Sequence, residues 1–157
     1  AITVRIGHAL GRREVDGIRS AAKSGFILVL VTQTLSASLM LLFPELIAVT
    51  YTNDLDVQRV ILDLLLLAAI FQLPDGLQVA GACALRGLKD TRIPMLYTLL
   101  AYWVIGLPLG YQLGVVLDHG AKGMWIGLIG GLSVAAVLMI SRFMHLLRSG
   151  ITIKDPL

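Results

Sequence analysis

Four stretches of this 157-residue chain are each long and apolar enough to cross a bilayer, and that feature leaves few folds open. They cover residues 25–49, 60–85, 93–117 and 123–147. Each has about 25 residues, or about 37 Å of helix at about 1.5 Å per residue. A bilayer core is about 30 Å thick, so each stretch crosses with some tilt. Lipid offers the backbone no hydrogen-bond partners, whereas a helix satisfies its own. The expected fold is all-α, a polytopic membrane helix bundle with four transmembrane helices.

Composition supports the same reading. Charged residues make up 15% of the chain and hydrophobic ones 57%. An average soluble domain carries about 25% charge, so a disordered chain and most soluble folds are excluded. The single cysteine, Cys83, excludes a disulfide framework and a Cys-based zinc site. His8, His119 and His145 are scattered without metal-ligand spacing. No nucleophile–base pair, phosphate loop or metal cluster is visible, so nothing points to an enzyme. The start at Ala1, in a semi-apolar stretch with no signal peptide, suggests a piece of a longer polypeptide.

The charges are sorted by side. Arg5, Arg12, Arg13, Arg19 and Lys23 precede the first span, and Arg86, Lys89 and Arg92 fill the second connection. Arg142, Arg148 and Lys154 end the chain, whereas the other two connections hold only Arg59 and Lys122. The positive-inside rule places the N-terminal segment, the second connection and the C-terminus in the cytoplasm. Four crossings return the chain to its starting side, so span number and charge agree. The net charge of +3 is spent at membrane ends, near anionic headgroups, which argues against nucleic acid as a partner.

Inside the spans, Asp75 is the most informative residue. It lies near the middle of the second span, directly after Pro74. An ionised carboxylate at the bilayer centre costs on the order of 3 kcal/mol or more, and a proton or a bound cation relieves that cost. The plain alternative is a buried Asp satisfied by neighbouring hydroxyls and backbone. Gln72 and Gln78 lie three residues to either side, so all three are expected to point in similar directions and to line one cavity. Interhelical hydrogen bonding is the competing role for the two glutamines. Pro74 and Pro108 fall at membrane depth, where a proline removes a backbone hydrogen bond and kinks the helix. Pro44 is read late in the first span and Pro94 at the start of the third.

Gly106, Gly110 and Gly114 repeat every four residues, as do Gly123, Gly127 and Gly131. Each set forms one helix face on which a neighbouring backbone can approach closely. Gly76, Ala80 and Ala84 form a similar face. Tyr51 and Trp125 suit an interfacial aromatic belt, and Tyr102 and Trp103 lie deeper. Asp63 and Glu45 read as interfacial or capping residues.

At these residues the chain resembles a known family. The segment AITVRIGHALGRRE and the stretch FQLPDGLQVAGACALRGLKDTRIPM, from Phe71 to Met95, are similar to the multidrug and toxin extrusion (MATE) transporters, closest to their NorM/MdtK-like branch. That family has twelve helices in two lobes. The resemblance implies that residues 1–157 are part of the C-terminal lobe: the end of helix 8 and then helices 9–12. It implies export of cationic amphipathic drugs by alternating access, coupled to entry of Na⁺ or H⁺, in a bacterial inner membrane. An Asp on helix 10 contributes to cation binding in this branch, and that role maps onto Asp75. An aromatic one turn earlier, a Tyr in some members, corresponds to Phe71, which lacks the hydroxyl. A helix-7 Glu that also takes part has no position in this chain. The implied partners are the drugs, membrane lipid and the remainder of the polypeptide, helices 1–8. No cofactor is implied, and no metal beyond Na⁺ at Asp75.

Two other readings compete. Related flippases of lipid-linked saccharides share the architecture but carry more basic charge in the cavity, whereas the deep ionisable residue here is an acid. A non-transporting membrane assembly subunit has no need of a charged, proline-containing midplane.

Overall fold

A computed structural model describes residues 1–149, and Lys154 lies outside the described residues. The described residues are helical throughout, joined by short connections. Four segments have the length and hydropathy of membrane spans: Val15–Leu42, Leu55–Gly87, Arg92–Val116 and Gly120–Ser149.

Helix α1 (Ile2–Gly11) turns at Arg13, which takes a positive φ of 57°, and leads into α2 (Val15–Leu42). The first span thus starts earlier than the apolar pattern indicates and takes Arg19 and Lys23 into the helix. It also ends earlier. Pro44, expected inside the span, instead opens a separate helix, α3 (Pro44–Tyr51). A proline pushes its predecessor out of the helical region, and Phe43 sits at φ −126°, ψ 43°. Proline suits the first helical position because its missing N–H is not needed there.

Helix α4 (Leu55–Gly87) is started by Asp54, whose carboxylate accepts from the Asp56 and Val57 amides. It continues through Pro74 without a break in helical assignment. Past Gly87 the chain turns at Lys89 (φ 61°), and the Asp90 amide donates to the Leu85 carbonyl.

The third span is composite. Helix α5 (Arg92–Leu100) passes into a π-helical segment, Ala101–Gly106. Helix α6 (Leu107–Tyr111) follows, and then a second π segment, Gln112–Val116. Pro108 lies in the first turn of α6, directly after the first π segment. Its ring would clash with the carbonyl four residues back, and the wider π turn accommodates it. Helix α7 (Gly120–Ser149) is the central element: 39% of its apolar window is buried, against 6% for α2.

Small residues fill the interior and large apolar ones face outward. Ala69, Ala80, Ala84, Ala101 and Ala135 are buried, while Leu28, Leu42, Leu46, Val104 and Val137 are exposed. Helices in lipid gain little from burying leucine, so close backbone packing holds them together. Most of the large buried side chains, among them Ile6, Ile18, Leu85, Met139 and Phe143, gather where α1, the start of α2 and the later parts of α4 and α7 meet. This is the basic end of the bundle. There α1 lies against Gly87, where a Cβ would fall 2.8 Å from the Ile6 Cβ.

Candidate functional site

Asp75 occupies the turn of α4 after Pro74 and is half-buried. Among the described residues its carboxylate makes no hydrogen bond or ion pair, and it is not sealed from the surroundings. The flanking glutamines, by contrast, are engaged. The Gln72 side chain donates to the Ser36 hydroxyl (3.0 Å) on α2. Its backbone carbonyl accepts from the Gln33 side chain (2.9 Å). Gly76 makes this possible, since a Cβ there would fall 2.6 Å from the Gln33 Cγ.

Gln78 turns to a different neighbour. Its side-chain oxygen accepts from the Tyr102 hydroxyl (3.3 Å) in the third span. The common direction expected for Gln72, Asp75 and Gln78 is therefore split. Gln72 binds α2, Gln78 binds the third span, and Asp75 is left between them. Three-residue steps each rotate a side chain by about 60°, so six residues separate two faces by about 120°.

Tyr102 borders a half-open, largely apolar pocket of about 310 Å³ between the third span and α7. Gly106, Leu107, Gly110, Met124, Trp125 and Leu128 complete its wall. Trp125, expected in an interfacial belt, is turned toward α4 instead. Its ring meets Phe71 edge-on, with centroids 5.6 Å apart and planes at 77°. Trp103 is 66% exposed and lines no part of the pocket. Phe71 thus stands behind the pocket wall, one turn before Asp75.

Two ion pairs join α4, or the turn after it, to α7. Asp63 pairs with Lys122 (2.6 Å) at one end, with both side chains 54% exposed. Asp90 pairs with Arg142 (2.8 Å) at the other, where the side chains are only 15% and 29% exposed. Asp63, read as interfacial or capping, is therefore an interhelical partner.

Several of these contacts had no sequence signal. The Tyr102–Gln78 tie, the inward Trp125 and the Asp90–Arg142 pair all depend on how helices are rotated against one another. Gln33 and Ser36, polar residues midway along α2, are the ones that reach Gln72 on α4. Among the described residues no cluster of three His, Cys, Asp or Glu side chains is placed to hold a metal. Asp75, the Gln78 carbonyl oxygen and the Tyr102 hydroxyl are oxygen donors, the type that hard cations take.

Comparison with known proteins adds the following. The MatE family model matches residues 1–112. The chain is 53% identical over 143 residues to the protein named "Probable multidrug resistance protein NorM" of Xylella fastidiosa (strain 9a5c), covering 91% of this chain and 30% of that relative. It is 45% identical over 146 residues to multidrug resistance protein PmpM of Pseudomonas aeruginosa, covering 90% of this chain and 31% of that one. The fold is similar to that of the eukaryotic MATE transporter AtDTX14, with a TM-score of 0.84 at 20% identity. That match covers 94% of this chain and 34% of the transporter. An inward-facing MATE multidrug resistance transporter gives a TM-score of 0.78 at 19% identity, covering 98% and 36%. The chain therefore spans about a third of the length of the proteins it matches.

Proposed function

The chain belongs to the MatE family, and on that premise we propose that it forms part of the C-terminal lobe of a multidrug efflux transporter, corresponding to helices 9–12. The family is one of membrane transporters, not enzymes. The whole transporter would export cationic amphipathic drugs by alternating access, in exchange for Na⁺ or H⁺. Its basic end, with the C-terminus, would face the cytoplasm of a bacterial inner membrane.

The observation that carries this reading is Asp75: a carboxylate within the long apolar helix α4, with no hydrogen bond or ion pair among the described residues, near a Tyr–Gln pair and an aromatic-walled pocket. An acid placed so expensively is relieved by a cation or a proton. When the driving cation enters from outside and binds Asp75, the packing of α4 near Pro74 changes. The drug-bound, outward-open arrangement is disfavoured, and drug leaves. The membrane potential contributes about 2.3 kcal/mol per charge per 100 mV. The acidic midplane favours cationic cargo over the anionic cargo of a flippase.

Asp75→Asn in the full-length protein tests the proposal. Drug resistance and gradient-driven ethidium efflux should be lost with expression unchanged. Wild-type resistance in that variant would overturn the assignment.

A further inference from the structure

Tyr102 belongs to two places at once. One part of the residue borders the pocket between the third span and α7. Its hydroxyl donates to Gln78, on the helix that carries Asp75 three residues earlier. It sits in the first π segment, where the helix is wider and its side-chain directions are reset before Pro108. Trp125, on the facing wall of the same pocket, is braced by Phe71 on α4. The pocket is thus tied to the Asp75 turn from both walls: through a hydrogen bond on one side and an aromatic contact on the other.

The two ties differ in kind. The Phe71–Trp125 contact joins two apolar rings and carries no charge. The Tyr102–Gln78 bond is polar, and its acceptor lies on α4 three residues from Asp75. When a cation neutralises the Asp75 carboxylate, the field at this nearby hydroxyl changes while Tyr102 still borders the pocket. From this geometry we infer that Tyr102 couples cargo to cation: its ring contacts a flat apolar cation in the pocket, and its hydroxyl, held by Gln78, transmits the cation state of Asp75. Tyr102 is thus a positioning residue for exchange. This rests on the proposed role of Asp75.

The test is binding of ethidium, a flat aromatic cation, to the purified full-length transporter, with and without Na⁺ at fixed pH, and at pH 6 and 8 without Na⁺. Couplings between sites typically change affinity by roughly 5- to 150-fold. Wild type should show a weakening of that order with one of the two cations. Tyr102→Phe keeps the ring and removes the hydroxyl. Its affinity without the driving cation should stay within about two-fold of wild type, and the cation effect should disappear. Tyr102→Ala should weaken the probe under all conditions. A wild-type cation effect in Tyr102→Phe would overturn the inference, as would loss of probe binding in that variant or the absence of any cation effect in wild type. Asp75→Asn separates the two ideas: if it keeps the cation effect, the Asp75 reading fails. If it loses the effect while Tyr102→Phe keeps it, only the role of Tyr102 fails.

Discussion

Gly127 of α7 meets Gly110 of α6 backbone to backbone: a Cβ built on Gly127 would fall 2.2 Å from the Gly110 nitrogen and 2.3 Å from its Cα. The two four-residue glycine repeats face each other, and the third and fourth spans touch through main chain. A methyl group at this contact has no flexible tip to displace. It must move a helix.

Gly127→Ala should therefore destabilise the folded bundle by about 1–3 kcal/mol, the usual cost of overpacking. Gly11→Ala is the contrasting variant, since a Cβ there meets nothing within 4 Å. Thermal unfolding of the full-length protein in detergent measures both. Equal melting temperatures for the two variants would show that the spans yield at this contact.

The two ion pairs on α7 should differ in weight. Asp90–Arg142 is largely withdrawn from solvent, and removing one partner leaves the other uncompensated. Arg142→Met should cost about 1–3 kcal/mol. Lys122→Met, which breaks the half-exposed pair with Asp63, should cost about 1 kcal/mol or less. A double-mutant cycle at each pair supplies the coupling energies. A larger coupling at Asp63–Lys122 would reverse the ranking.

Phe71→Tyr places a hydroxyl one turn before Asp75 while keeping a ring against Trp125. A hydrogen bond or ligand contact to a charged group is worth about 1.5 kcal/mol or more, which is roughly ten-fold in affinity. The variant should tighten the apparent affinity for the driving cation by up to about that factor, read from the midpoint of cation-dependent probe release. An unchanged midpoint would mean that the hydroxyl does not reach the site.

The proposed orientation rests on the distribution of Lys and Arg and can be checked directly. Cysteine introduced at Lys89 should be shielded from a membrane-impermeant maleimide in intact cells, and cysteine at Asp118 should react. The background is a full-length protein with Cys83 and any other cysteine replaced. The opposite labelling pattern would invert the topology.

The number of spans and the all-α class were legible in the sequence, because each follows from a local constraint. Lipid leaves backbone groups unpaired, so any apolar run of sufficient length must be a helix, whatever its neighbours. Pro44 was visible too, yet it was read as part of a span. An apolar run continues on both sides of it, and hydropathy does not register the change of backbone direction at Phe43. The site was half legible. Asp75 stood out by cost alone, but the partners of Gln72, Gln78 and Trp125 depend on helix rotation. That rotation is decided by contacts such as Gly127 on Gly110 and Gly76 under Gln33, between residues far apart along the chain. The sequence by itself determined what enters the membrane. Only the tertiary structure decided what Asp75 faces, because side-chain direction there depends on how closely separate helices can approach.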